Sequence, residues 1–172
     1  QDYLNATTNQ FEQVVADVYA VYQKRLQSAN AMDFDDLILK TVKVIQRFPE
    51  AKARMRSRFK HILVDEYQDT NHAQYILVRE LTGSLEDGTP PAELCVVGDA
   101  DQSIYGFRGA TIRNILQFEL DYPNATTVLL EQNYRSTQNI LNAAKAVITQ
   151  NASRKEKNLW TDSGAGAPLI GY

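Results

Sequence analysis

The apolar and polar positions change period along the chain, and the period assigns most of it before any chemistry is considered. In FEQVVADVYAVYQKRLQ, residues Phe11, Val14, Val15, Val18, Tyr22 and Leu26 recur at helical spacing. Asn9 followed three residues later by Glu12 resembles a capping pair. QSANAM interrupts the pattern. A second helix is predicted over MDFDDLILKTVKVIQRF, capped by Asp33, with Phe34, Leu37, Ile38, Thr41 and Ile45 on one face. Pro49 can end that helix and open a further short one.

Beyond it the period is lost. HILVD and LCVVGD are short unbroken apolar runs, the pattern of strands buried on both faces in a parallel sheet. Between them TNHAQYILVRELTG reads as a helix with Ile76, Leu77 and Leu81 inward, and GSLEDGTPPAE as a loop. Asp65 and Asp99 stand 34 residues apart, about one strand–helix–strand unit. The two strands are therefore expected parallel, with their acidic ends on one edge. GDADQSIYGFRGA is a glycine-punctuated loop leading to a helix near TIRNILQFEL, and DYPNA is a turn. TTVLLEQNYRS repeats the strand-to-loop pattern. STQNILNAAKAVITQN reads as a helix capped by Ser136 or Thr137, with Ile140, Leu141, Ala144, Val147 and Ile148 inward. PLIGY is a candidate final strand. There is no internal repeat and no low-complexity tract.

Composition narrows the class. Hydrophobic residues make up 44% of the chain, enough for a packed core. A net charge of −3 and a pI near 5.4 exclude a uniformly basic nucleic-acid binder but leave room for local patches. KARMRSRFK, with Lys52, Arg54, Arg56, Arg58 and Lys60, is one such patch. It reads either as a solvated helix face or as a contact to a phosphate backbone. The single cysteine, Cys95, excludes a disulfide scaffold, fits a reduced intracellular setting, and is expected as a small buried hydrophobe. No apolar stretch approaches the ~20 residues that span a bilayer, and no signal peptide is visible. The chain does not begin with Met, so an excised fragment is the expectation.

The adjacent acids Asp65 and Glu66 close the first apolar run. In open α/β sheets ligands sit beyond the carboxyl ends of the strands. Asp65, Glu66 and Asp99 all fall there. Paired carboxylates with no His or Cys cluster suit a hard cation such as Mg²⁺, which usually rides on a substrate phosphate. One acid can anchor the hydrated ion while the next orients or deprotonates a water. The strand thus has the shape of a Walker-B element; acids that merely cap the following helix are the plainer alternative.

Three strings decide between these. DEYQDTN, GDADQSIYGFRGA and LEQNYRST follow in this order, each after an apolar run. Together they closely resemble motifs II, III and IV of the superfamily 1 DNA helicases, in the UvrD/PcrA/Rep branch. The resemblance covers roughly residues 31 to 160, and MDFDDLI resembles the segment by which that family re-enters its first motor domain after inserted subdomain 1B. It implies an α/β fold: a RecA-like P-loop NTPase motor core with a partial parallel sheet and flanking helices, preceded by a helical 1B remnant. Residues 1–30 would be the end of 1B, 31–125 the later part of domain 1A, and 126–172 the start of domain 2A.

The resemblance also implies roles. Asp65 and Glu66 would hold the Mg²⁺ of MgATP, with Glu66 the general base or positioner of the hydrolytic water. Gln102 would sense the γ-phosphate, since an amide both donates and accepts. Arg135 would be an arginine finger from the second motor domain, and Tyr134 would stack on the adenine. Tyr105 and Phe107 would stack on bases of single-stranded DNA, and Arg108 would contact DNA or couple the loop to the nucleotide. Many relatives carry Trp where Phe107 stands, which weakens stacking. Gln68 and Asp69 complete the acidic string, either by local hydrogen bonding or by direct participation; Asp99, Asp101, Gln132 and Asn133 are expected to shape loops.

The implied activity is ATP-driven 3′-to-5′ translocation on single-stranded DNA and unwinding at duplex junctions, in DNA repair or replication. The implied setting is the bacterial cytoplasm, associated with the nucleoid, with repair or replication proteins as unidentified partners. No GxxxxGK[ST] phosphate loop is present. The chain therefore reads as an internal segment that lacks ATPase activity by itself, with apolar edges exposed on HILVD and LCVVG. Two alternatives stay open: the motor of a RecB/AddA-type helicase–nuclease, and a catalytically incomplete DNA- or protein-binding fragment.

Overall fold

The computed structural model describes residues 9–84, 87, 90–151 and 156–171. The part of the expected 1B remnant at residues 1–8, and Tyr172 of the candidate last strand, lie outside them. The chain divides into two units, Gln1–Ile62 with Ala73–Glu93, and Leu63–His72 with Leu94–Tyr172.

The first unit is mainly helical. Helix α1 (Gln10–Ser28) starts where Asn9 Oδ1 accepts the Glu12 amide at 2.9 Å. Helix α2 (Phe34–Arg47) starts where Asp33 Oδ1 accepts the Asp36 amide at 2.8 Å. Each cap satisfies a backbone donor that the first turn leaves without a partner. Helix α3 (Pro49–Arg58) has Pro at its first position, as its missing N–H allows. Helix α4 (His72–Thr82) follows the first strand.

The buried side of α2 keeps Ile38, Thr41 and Ile45 of the predicted face but not Phe34 and Leu37. Ile38, Val42 and Ile45 face inward, with Ile45 only 2% exposed, while Phe34 is 89% exposed and Leu37 is exposed. The apolar pattern of α2 is wider than the contact, and packing covers only part of it. The stripe of α1 is likewise open at Phe11, Val14, Val15, Val18 and Tyr22.

The basic stretch is partly spent on structure. Arg56 Nε donates to the Glu80 carbonyl at 2.9 Å, and its guanidinium pairs with Asp87 at 2.9 Å. Lys52 lies 3.2 Å from both Glu80 and Asp87. The Ser84 amide, against the effect of burial and with help from Arg56 and Lys52, holds the Asp87 carboxyl well below the usual range. Arg58 stacks over Phe59. Lys52 and Arg56 are therefore structural, while Arg54 and Lys60 remain on the solvated face.

The sheet has two strands, β1 (His61–Val64) and β2 (Glu93–Val96). They run parallel: Glu93 N donates to Lys60 O, Val97 N to Val64 O, and Tyr67 N to Val97 O, at 2.8–2.9 Å. Both carboxyl ends thus lie on one edge.

The strands are not buried on both faces. Each alternates exposed and half-buried positions, leaving Leu63 78% exposed and Cys95 exposed. Successive side chains point to opposite faces, and only one face is covered. This overturns the buried reading of Cys95 and the expectation of strands buried on both faces.

The rest of the second unit is less regular than predicted. TIRNILQFEL forms two one-turn helices, α5 (Arg113–Leu116) and α6 (Phe118–Asp121), instead of one. Residues 126–130 form no strand, with Val128, Leu129 and Leu130 exposed. Among the described residues of this region, Gln132 and Trp160 make one isolated parallel bridge. Pro168–Gly171 is not a strand either. A strand exists by pairing, and these runs find no ladder among the described residues. Helix α7 (Gln138–Ile148) forms as predicted, with Leu141 buried and Ile148 half-buried. Ile140, Ala144 and Val147 stay exposed, and neither Ser136 nor Thr137 caps with its side chain. The Gln138 and Asn139 amides at its start donate instead to the carbonyls of Gly164 and Ala165 at 2.9 and 3.0 Å, while Asn133 Oδ1 accepts the Arg135 and Ser136 amides of the preceding turn at 3.0 and 2.8 Å.

Among the described residues, no helix is long and apolar enough to cross a membrane.

Candidate functional site

The acids are set by the end of β1. Asp65 Oδ1 accepts the Glu66 amide at 2.9 Å. Glu66 sits in the left-handed region, at φ 49° and ψ 44°. A non-glycine residue there carries a backbone cost, of order 1 kcal/mol or more, which the surrounding contacts must hold. Both acids are exposed. The chain then turns at once into a 3₁₀ turn, Tyr67–Asp69.

Beneath the acids lies Gln68, 1% exposed. Its Nε2 donates to Glu66 Oε2 at 2.7 Å and to Asp69 Oδ2 at 3.3 Å. Its Oε1 accepts the Asp99 amide at 3.0 Å. Tyr67, also buried, packs edge-on against Phe118. Thr70 closes the turn: Asn114 Nδ2 donates to its carbonyl and hydroxyl at 3.1 and 3.0 Å.

The second strand delivers the matching loop. Asp99 Oδ1 accepts the Asp101 amide at 3.0 Å, and Gln102 Nε2 donates to Asp99 Oδ2 at 2.8 Å. Lys157 pairs with Asp99, and with Asp101 at 3.1 Å. Burial opposes ionisation of Asp99, yet Lys157, Gln102 and the Asp101 amide keep its carboxyl below the usual aspartate range. Asp99 and Asp101 thus shape the loop, as expected from the sequence. Lys157 was missed: nothing in its local string marks it, and its partner Asp99 lies 58 residues away.

The structure joins Glu66 to Gln102 through two side chains. Glu66 bonds Gln68, Gln68 bonds the amide of Asp99, and Asp99 bonds Gln102.

Three residues after Gln102 the same loop presents rings to solvent. Tyr105 and Phe107 have centroids 6.0 Å apart, and the Arg108 guanidinium carbon lies 5.6 and 5.8 Å from them. Phe107 is 81% exposed, so core packing does not explain it. A 3₁₀ turn at Gly106–Arg108, closed by Gly109 at φ 80°, holds the rings at the surface.

Tyr134 and Arg135 form a separate group. The Tyr134 hydroxyl donates to Gln132 Oε1 at 2.9 Å, and Gln132 Nε2 donates to Asp162 Oδ2 at 2.8 Å. Tyr134 and Arg135 are exposed, and no hydrogen bond or ion pair joins either to the acid cluster among the described residues.

Asp65 and Glu66 offer hard oxygen donors, but among the described residues no three His, Cys, Asp or Glu side chains gather as a metal cage. That donor set fits a hydrated Mg²⁺ arriving on a phosphate, which needs one or two carboxylates from the protein.

Residues 1–123 match the model of the UvrD/REP helicase N-terminal domain, and residues 128–171 that of the UvrD-like helicase C-terminal domain. The chain belongs to the UvrD/REP helicase family. It is 65% identical over 170 residues to the ATP-dependent DNA helicase UvrD1 of Mycobacterium tuberculosis. It is 54% identical over 162 residues to the ATP-dependent DNA helicase PcrA of Bacillus subtilis, and 52% over 172 residues to that of Leuconostoc citreum. These matches cover 98%, 94% and 100% of the chain but only 22%, 21% and 22% of the relatives. The chain therefore spans about a fifth of the length of the UvrD-type helicases it matches. The junction between the two family models falls at residues 124–127, beside the DYPNA turn.

Proposed function

We propose that this chain is the part of an ATP-dependent DNA helicase motor that carries the water-activating acid, the phosphate sensor and a DNA-stacking loop. MgATP is the substrate, and translocation on single-stranded DNA, 3′ to 5′, with unwinding at duplex junctions, is the work. The observation that carries the reading is the link from Glu66 through Gln68 and Asp99 to Gln102, at the shared edge of two parallel strands. That edge is where open α/β sheets bind their ligands. The fold of the whole motor is RecA-like on this reading, with residues 1–30 ending subdomain 1B, 31–125 in domain 1A and 126–172 opening domain 2A.

Asp65 and Glu66 hold the substrate's Mg²⁺, which neutralises phosphate charge, and Glu66 orients or deprotonates the attacking water. Gln102 meets the γ-phosphate. Tyr134 stacks on the adenine, and Arg135 approaches the γ-phosphate, where a planar fork suits the charge that gathers in the transition state. The exposure of both residues, without ion-pair partners among the described residues, suits groups that engage a ligand. Tyr105, Phe107 and Arg108 grip bases, and the five residues from Gln102 to Phe107 are the short tether between phosphate state and DNA grip.

The test is single-stranded-DNA-stimulated ATP hydrolysis by the full-length polypeptide, wild type beside Glu66→Gln. A DNA-stimulated rate that collapses in the variant while ATP still binds supports the reading. A rate indifferent to Glu66 demotes the acids to structure.

A further inference from the structure

Gln68 is more buried than any group assigned to the chemistry, and its amide is used at both ends. The nitrogen side faces the carboxylates of Glu66 and Asp69, at 2.7 and 3.3 Å. The oxygen side accepts the backbone amide of Asp99, 31 residues away, at 3.0 Å. Its own carbonyl accepts the Ser103 hydroxyl at 3.4 Å. Gly98 is shaped to this side chain: a Cβ there would lie 2.6 Å from Gln68 Oε1. A buried amide clamped in this way has one orientation, since exchanging its two ends would oppose an oxygen to two carboxylates and an N–H₂ to an N–H donor.

We infer that Gln68 is a positioning residue that couples the DNA-gripping loop to Glu66. The inference rests on the proposed role of Glu66 and adds a mechanism for its control. Asp99 begins the loop that carries Gln102, Tyr105, Phe107 and Arg108. A shift of that loop moves the Asp99 amide, and Gln68, clamped between that amide and the two carboxylates, carries the shift to the Glu66 carboxylate. Glu66 sits in a left-handed backbone conformation, so its side chain depends on such external contacts to hold a fixed aim.

Substitution Gln68→Glu separates the two ends. It is isosteric and keeps an acceptor for the Asp99 amide, but it removes the donor to Glu66 and opposes like charges. In the full-length polypeptide the expected result is a fall in kcat of about ten-fold or more, the scale of one lost charge-assisted hydrogen bond. The KM for ATP and the affinity for single-stranded DNA stay within about three-fold, because neither ligand touches Gln68. The ratio of DNA-stimulated to basal turnover falls toward one. Gln68→Asn keeps the amide but shortens its reach, and is expected to lose the same ratio if Gln68→Glu does not fold. A DNA-stimulated ratio equal to that of wild type in either folded variant overturns the inference. Glu66→Gln in the same assay separates the two levels: full turnover there removes the reading of Glu66, whereas a dead Glu66→Gln beside a fully coupled Gln68 variant removes only the role of Gln68.

Discussion

Gly98→Ala tests how firmly the buried network is held. The added methyl would meet Gln68 Oε1 at 2.6 Å, Ile115 Cδ1 at 2.9 Å and the backbone nitrogen of Tyr67 at 3.1 Å. The end of Ile115 can move. The Tyr67 nitrogen cannot, because it donates to Val97 O at 2.9 Å. Gln68 can give way only by losing its bonds to Glu66 or Asp99. Overpacking of this kind costs about 1–3 kcal/mol, and a displaced hydrogen bond adds about 1 kcal/mol. Gly98 lies outside the left-handed region, so the lower entropy of an unfolded alanine returns about 0.4–1 kcal/mol. The net expectation is about 1–3.6 kcal/mol of destabilisation, or roughly 2–14 °C in Tm for a chain of this size. The control is Gly106→Ala, where the new Cβ meets nothing within 4 Å and stability should hold within about 0.5 kcal/mol. Thermal and urea unfolding, followed by the fluorescence of the single tryptophan, Trp160, reads both. If the two variants unfold alike, Gln68 is not fixed as described, and the argument for its coupling role loses its geometric basis.

Phe107→Ala should leave stability unchanged within about 0.5 kcal/mol, since the ring is exposed. It should weaken single-stranded DNA binding by about 1–3 kcal/mol, read by anisotropy of a labelled oligonucleotide with the full-length polypeptide; unchanged affinity would remove Phe107 from the interface. Lys157→Met addresses Asp99, whose carboxyl is held below its unfolded value. A carboxyl lowered on folding stabilises above its unfolded pKa, and that contribution disappears as pH falls through the folded one. The variant should therefore lose less stability than wild type on acidification below about pH 4, measured as urea midpoints between neutral and acid pH. Identical pH slopes would mean that the Lys157 pair does not form in solution.

The features that were legible in the sequence are those settled over a few residues. Asn9, Asp33 and Pro49 start helices because each acts on backbone groups within its own first turn. The acids after β1 and the loop after β2 were legible because an apolar run ending in a charge marks where a strand leaves the interior. The family strings located the candidate chemistry but not its wiring. Tertiary structure decided how much of the apolar face of α2 is buried, keeping Ile38 and Ile45, adding Val42 and leaving Phe34 open, because a pattern broader than one contact is covered only where a neighbour packs on it. It left Thr126–Leu130 without a ladder, because strand pairing is a property of two segments, and it exposed Cys95, because a strand face is buried only where something covers it. Above all it brought Asp99 onto Gln68 and Lys157 onto Asp99, across 31 and 58 residues. Hydrogen bonds between distant residues leave no periodicity in a sequence, since their geometry exists only once the chain between them has folded.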